Sequence, residues 1–217
     1  MSKSAKDIIV RVIPARTAND FVRKTHYSRK VAPNSSLHFG VFLDGYLHGV
    51  MQFGPSINKK GTINLVSKTS WNGFIELNRM AFDEYLPKNS ESRAISIAMK
   101  LIKKNAPQIE WVISFADATQ CGSGTIYRAS GFTLVSVVKN ISLRTNPKTG
   151  EPIHVIQAHH LKISKEFRTW KPLVGYQIKY VFFINKDAKK RLTVKPLDYS
   201  VLDTLDFPEG VRHKVIQ

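Results

Sequence analysis

The stretch from Trp111 to Phe132, WVISFADATQCGSGTIYRASGF, constrains the fold more than any other part of the chain. Its opening run, Trp111-Val112-Ile113-Ser114-Phe115-Ala116, is almost wholly apolar and reads as a strand buried on both faces, as in a parallel sheet. The run stops at the charge of Asp117. A loop of small residues, Cys121-Gly122-Ser123-Gly124, leads into a short helix carrying Ile126, Tyr127 and Ala129. Gly131 suits a left-handed cap at the end of that helix, and Phe132 starts the next strand. In open α/β sheets ligands lie just past the carboxyl ends of strands, so Asp117 stands where chemistry is expected.

The charge balance narrows the partners. The chain has 33 Lys and Arg against 16 Asp and Glu, a net charge of +17 and a pI near 10.0. Such a surplus attracts a polyanion, nucleic acid ahead of an anionic membrane surface. With 217 residues, 42% of them hydrophobic, the chain can build one substantial core, or a core with a small appendage. No apolar run approaches a bilayer span, and the polar start MSKSAKD is no signal peptide. A single cysteine excludes an intramolecular disulfide and a Cys-based zinc cluster. The expectation is a cytoplasmic protein that binds nucleic acid and no membrane.

Taken in order, Ile8 to Ile13 reads as a first strand, followed by a helix capped by Thr17 or Asn19 and running to about Ser28. Ala18, Phe21, Val22 and Thr25 share its inner face with His26 at the edge, while Arg23, Lys24, Arg29 and Lys30 point outward. Leu37 to Gly54 is a hairpin around Asp44-Gly45, a type I′ turn signal. By alternation His38 and His48 fall opposite the apolar set and are expected to face solvent. Pro55 to Gly73 reads as a long polar loop.

Phe74 to Phe82 reads as a strand that places Arg79 among apolar neighbours, where an arginine needs a partner or a ligand. Ser90 to about Asn105 is an amphipathic helix. After Phe132, Thr133 to Val138 and Ile153 to His160 read as a second hairpin around Asn146 to Gly150. His154, His159 and His160 are taken as surface or DNA-facing residues. A last strand, Gly175 to Phe183, precedes a basic run with Lys186, Lys189, Lys190, Arg191 and Lys195.

The order hairpin, strand, helix, strand, short helix, strand, with Tyr127 four residues before Gly131-Phe132, resembles the GNAT acyltransferase superfamily. That resemblance implies an α/β fold with a mixed, mostly antiparallel sheet flanked by helices. Its parallel strands, here 74–82 and 111–117, would splay around an acyl-CoA. The superfamily's glycine-rich pyrophosphate loop is replaced by Asp83-Glu84-Tyr85-Leu86-Pro87-Lys88-Asn89-Ser90, leaving the helix N-terminus with Lys88, Ser90 and Arg93 to hold a phosphate. The donor is then acyl-CoA or another acyl or aminoacyl carrier.

A narrower resemblance spans positions 20 to 200. His26-Tyr27, the Phe39-Gly40-Val41-Phe42 and Asp44-Gly45 hairpin, Glu76-Leu77-Asn78-Arg79, Asp117 with Tyr127, and Gly175-Tyr176-Gln177 through Lys189-Lys190-Arg191-Leu192 resemble the Mom family of phage DNA-modification proteins. The resemblance implies conversion of adenine in double-stranded DNA to N6-carbamoylmethyladenine, which protects phage DNA from host restriction. It also implies an iron held by residues at the positions of His26, Tyr27, Asp117 and Tyr127. Arg79 joins these four as a catalytic candidate. Arg23, Lys24, Arg29, Lys30, Lys189, Lys190 and Arg191 are the candidates for DNA contact. The expected division is a GNAT-like catalytic domain over 1–185 and a basic extension over 186–217, with a homodimer left open. Two other readings stand beside this one: a GNAT-type acyltransferase acting on another amine, and a basic DNA-binding protein without catalysis.

Overall fold

The computed structural model describes residues 3–212; positions 213–217 of the extension expected at 186–217 lie outside the described residues. The first strand, β1 (Ile9–Val12), leads into α1 (Ala15–Thr25), then β2 (Leu37–Leu43) and β3 (Tyr46–Gly54). After α2 (Lys59–Ile63) come β4 (Phe74–Phe82), α3 (Ser90–Asn105), β5 (Trp111–Ala118) and α4 (Thr125–Ala129). The remainder is β6 (Thr133–Thr145), β7 (Pro152–His154), α5 (Val155–His160), α6 (Ser164–Thr169), β8 (Pro172–Phe183) and α7 (Ser200–Asp203). A 3-10 turn over Lys186–Arg191 follows β8. The eight strands form one sheet in the order β1-β2-β3-β4-β5-β8-β6-β7, antiparallel through β1 to β4 and parallel at β4/β5. This is the mixed α/β architecture expected from the sequence. Among the described residues no helix is long and apolar enough to cross a membrane.

Local chemistry explains most of these elements. Asp44 and Gly45 both take positive φ, 53° and 84°, as a type I′ turn demands. Gly131, at φ 78°, ends α4 in the left-handed conformation. Helix α3 buries Ala94, Ile95, Ala98, Met99 and Ile102, a helical repeat of inward positions. Helix α1 seats Ala18 and Val22 against Ile13 and Val50.

Several expectations need correction. The cap of α1 is Pro14, whose fixed φ (−61°) suits a helix entry, and not Thr17 or Asn19. His26 leaves the helix at ψ 139°, so α1 ends at Thr25 rather than near Ser28. The loop after β3 contains α2, capped by the Asn58 side chain. His38 and His48 do not face solvent. His38 is buried, its Nδ1 3.2 Å from Gln52 Nε2, and His48 Nδ1 lies 2.9 Å from Asp83 Oδ2 with its ring stacked on Tyr85. Both sheet faces are covered there, so alternation no longer separates inside from outside. The strand expected over Ile153 to His160 stops at His154, whose Nδ1 accepts from Ile156 N (3.2 Å) and starts α5. Burial of Ala158 with Phe167 then favours the helix.

The chain divides into two compact units with interleaved segments. The first comprises 1–115, 126–135 and 179–197; the second comprises 116–125, 136–178 and 198–217. In the first unit Val66, Phe74, Trp111, Ile113, Val135, Val181 and Ala188 form a core, with the Phe74 and Trp111 rings stacked at 4.3 Å. In the second, Ile153, Ala158 and Phe167 form a smaller cluster with Ile163 and Trp170 against it.

Candidate functional site

The parallel ladder between β4 and β5 runs from Phe74–Trp111 to Leu77–Ser114 and stops there, although β4 continues to Phe82. At this last rung the buried Ser114 hydroxyl donates to the Leu77 carbonyl (3.2 Å) and shares a hydrogen bond with the Tyr127 hydroxyl (2.8 Å). A serine inside an apolar strand thus takes the place of the backbone donor that the ended ladder no longer supplies. Tyr127 is 7% exposed, and its ring meets Phe132 at 5.1 Å and Tyr180 at 4.9 Å. Sequence reading did not single out Ser114 for a role, although a lone hydroxyl in the run WVISFA was the available signal.

On β4 just past the fork, a bulge sets Gln52 opposite Arg79 and Phe53 opposite Leu77, leaving Asn78 without a rung. Asn78 accepts from Ser35 Oγ at 3.0 Å, and Gly54 lies so close that an added Cβ would strike the Asn34 carbonyl oxygen. Burial pushes the Glu76 carboxyl above its ordinary range, against the opposing pull of hydrogen bonds with Ser56 and Asn78 and of the Arg79 charge. Arg79 finds its partners in the main chain: Nε donates to the Lys30 carbonyl (3.0 Å) and Nη1 to the Asn78 carbonyl (2.7 Å). It thereby ties the segment after α1 to the bulge.

The far end of β4 leads into α3. Asn89, at φ 71°, offers no side-chain cap to that helix. Beside it lies a cavity of about 790 Å³ whose lining includes Lys3, Lys6, Lys88, Ser92 and Arg93. Ser90 is 1% exposed, and its buried Oγ has no hydrogen-bond partner. Lys3 is already paired with Asp44 at 2.8 Å, and the buried Ser90 hydroxyl is not on the cavity wall; uncapped helix N–H groups with Lys6, Lys88 and Arg93 are what suit the phosphates of an acyl carrier. Lys88 and Arg93 were legible in the sequence. Lys3 and Lys6 were not, because they arrive from the start of the chain.

His26 and Tyr27 stand where the chain leaves α1, their ring centroids 4.4 Å apart. His26 Nδ1 accepts from Ser28 N (3.1 Å) and lies 2.8 Å from Ser28 Oγ. Tyr27 is exposed and Tyr127 is buried under aromatic rings with its hydroxyl joined to Ser114. Among the described residues no group of three or more His, Cys, Asp or Glu side chains is placed to hold a metal ion. A Tyr127 phenol buried and bonded to Ser114, with one His26 ring nitrogen engaged by Ser28, does not fit an iron ion. The iron expectation is therefore not carried by the structure.

Asp117 belongs to the second unit and is the penultimate residue of β5. Its Oδ1 accepts from Thr119 N (3.0 Å) and its Oδ2 from Gln120 Nε2 (2.9 Å), which shapes the loop that begins there. In the same unit Gly175 packs so tightly on Thr119 that an added Cβ would lie 2.6 Å from its Cα.

The candidate DNA contacts differ in their exposure and in the ion pairs they make. Lys24, Arg29, Lys30 and Lys189 are exposed. Arg23 pairs with Asp20, and Lys190 with Asp187, both at 2.8 Å. Arg191 is held more firmly: Nη2 pairs with Glu110 at 2.5 Å and Nη1 donates to the Ser67 carbonyl at 2.7 Å, about three-quarters shielded from solvent.

A parallel pair that forks beyond Leu77 and Ser114, a cation-lined helix start after the first of those strands, and a buried tyrosine bonded to the second define an α/β protein with a forked mixed sheet. Within that class the chain belongs to the Mom protein family, whose model matches residues 7–201. It is 36% identical over 202 residues to the methylcarbamoylase Mom of Escherichia phage Mu, a match covering 88% of this chain and 81% of the relative. Weaker likenesses link it to solved acyltransferases. A polyamine N-acetyltransferase of Drosophila melanogaster has 10% identity and a TM-score of 0.48, covering 82% of this chain and 100% of its own. An N-acyl amino acid synthase from uncultured soil microbes has 14% identity and a TM-score of 0.47, covering 86% and 95%.

Proposed function

We propose that the chain is a DNA-modifying transferase that converts adenine in double-stranded DNA to N6-carbamoylmethyladenine and so shields phage DNA from restriction. The observation that carries this reading is the family match over residues 7–201, which includes a relative named for methylcarbamoylation. The net charge of +17 supports a duplex partner.

Adenine N6 is a weak nucleophile locked in the base stack, so the base must leave the helix at a cost of about a few kcal/mol. A bond then forms between N6 and the carbon delivered by the donor, the donor's bond to that carbon breaks, and N6 gives up one proton. Asp117 is assigned to orient N6 or take that proton. His26, Tyr27, Arg79 and Tyr127 are assigned to the base and the transferred group. Lys88, Ser90 and Arg93, joined by Lys6, would hold the donor's phosphates, and the donor supplies the activated carbon.

Mass spectrometry of nucleosides from DNA of cells making the protein tests the reading. The expected product is an adenosine in which a carbamoylmethyl group replaces one hydrogen. An acetylated adenosine would indicate ordinary acyl transfer, and unaltered adenosine would overturn the proposal.

A further inference from the structure

We infer that the cleft between β6 and the α5–α6 pair, all within the second unit, is a docking surface for the sugar-phosphate backbone of duplex DNA. The inference rests on the proposed DNA substrate and names a surface for it. The cleft has a volume of about 550 Å³; Arg144, His159, Ser164 and Arg168 stand on its walls, with Ile141 and Ile156 between them.

Its construction suits a polyanion with apolar sugar edges. Segment 136–178 carries Lys139, Arg144, Lys148, Lys162, Lys165, Arg168 and Lys171 against Glu151 and Glu166 alone. The Arg144 guanidinium lies 5.6 Å from the Phe167 ring centroid and donates to the Trp170 carbonyl at 2.6 Å, so its direction is fixed before a ligand arrives. Arg168, His159 and Lys165 are exposed, and Ile141 and Ile156 leave more than 60% of their surface to solvent. Guanidinium and hydroxyl donors match phosphate oxygens, whereas the isoleucines offer only contact. A second copy of the chain is a poor occupant, since it would bring another +17 charge to a cationic wall.

The test uses the full chain and an unmodified duplex of arbitrary sequence, with affinity measured across a salt series. A variant with Arg168→Ala, exposed on the cleft wall, is compared with Lys103→Ala at the end of α3. Each phosphate contact contributes about 0.9 to the slope of log affinity against log salt, so loss of the Arg168 contact flattens it by about 0.9. The expected result is that flattening in the α6 variant, with its melting temperature intact and the α3 variant unchanged. An unflattened slope, equal flattening in both variants, or a wild-type chain that does not bind duplex overturns the inference. Failure of the proposed reaction registers separately, as unaltered nucleosides despite duplex binding.

Discussion

Ser114 and Tyr127, 13 residues apart in sequence, share a 2.8 Å hydrogen bond at the point where the parallel strands separate. The same serine reaches the Leu77 carbonyl, so one hydroxyl closes the ladder and sets the height of the tyrosine. Ser114→Ala removes both bonds and takes a buried donor from the Leu77 carbonyl. Unfolding in urea should show a loss of about 1–3 kcal/mol. Tyr127→Phe keeps the ring against Phe132 and Tyr180, so in a double-mutant cycle it should cost little once Ser114 is already alanine. Fully additive costs would show that the two do not act as a pair.

Asp117→Asn keeps an oxygen for Thr119 N but exchanges the carboxylate for an amide. If the carboxylate serves the proton on N6, modified adenine should fall by about a hundredfold or more. The melting temperature should stay close to that of the parent. Normal levels of modified adenine in the Asn variant would remove Asp117 from the chemistry and leave it a loop-shaping residue.

Lys88→Ala and Arg93→Ala each remove a cation from the cavity at the start of α3. Coenzyme A binding, measured by calorimetry, should weaken by about tenfold for each, the equivalent of ~1.4 kcal/mol. Lys24→Ala, on α1, should leave that affinity unchanged. Equal affinities across all three variants would move the donor elsewhere.

Glu76 gives a pH test with a defined sign. Burial raises its folded-state pKa above the ordinary 4.5, so the folded chain holds this proton more tightly than the unfolded one. Stability from this group therefore falls as pH rises from about 4.5 through the raised folded value. Glu76→Gln removes the titration while keeping an amide for Ser56 and Asn78. Urea midpoints should show wild type losing ground to the Gln variant as pH climbs through that range. A constant difference between the two proteins would mean Glu76 ionises as freely in the fold as out of it.

At the basic turn after β8 the structure separates two roles that charge alone had merged. Arg191→Ala strands the shielded Glu110 carboxylate and should cost about 1–3 kcal/mol. Lys189→Ala removes an exposed charge and should leave the melting temperature unaltered while flattening the salt dependence of duplex binding by about 0.9 if it meets a phosphate. Thermal unfolding and a salt titration of the two single variants distinguish these effects.

Legibility in the sequence followed locality. Asp44-Gly45, the repeat in α3 and Gly131 are decided by residues a few positions apart, and each appeared as expected. His38 and His48 failed because strand alternation assumes one wet face, and β2 and β3 have cover on both. The segment after His154 failed because its apolar residues suit either period, and the burial of Ala158 by Phe167 decided for a helix. Within the site, Lys88 and Arg93 were readable beside a helix start. Ser114 with Leu77, Lys3 with Lys88 and Arg191 with Glu110 join residues far apart in the chain, and no spacing rule connects them.

The interleaving of the two units sets an order of events during synthesis. Phe74, Trp111 and Ile113 leave the ribosome well before Val181 and Ala188, which complete their cluster. A nascent chain halted at Ile178 would therefore hold a stacked Phe–Trp pair with part of its cover not yet made, a surface that invites chaperones or self-association. The completing segment, 179–197, also carries Arg191 to Glu110, so closure of the core and neutralisation of that carboxylate come together. Maturation of the first unit is thus timed by residues near the end of translation, and truncations before Lys179 should accumulate as aggregates rather than as a smaller folded protein.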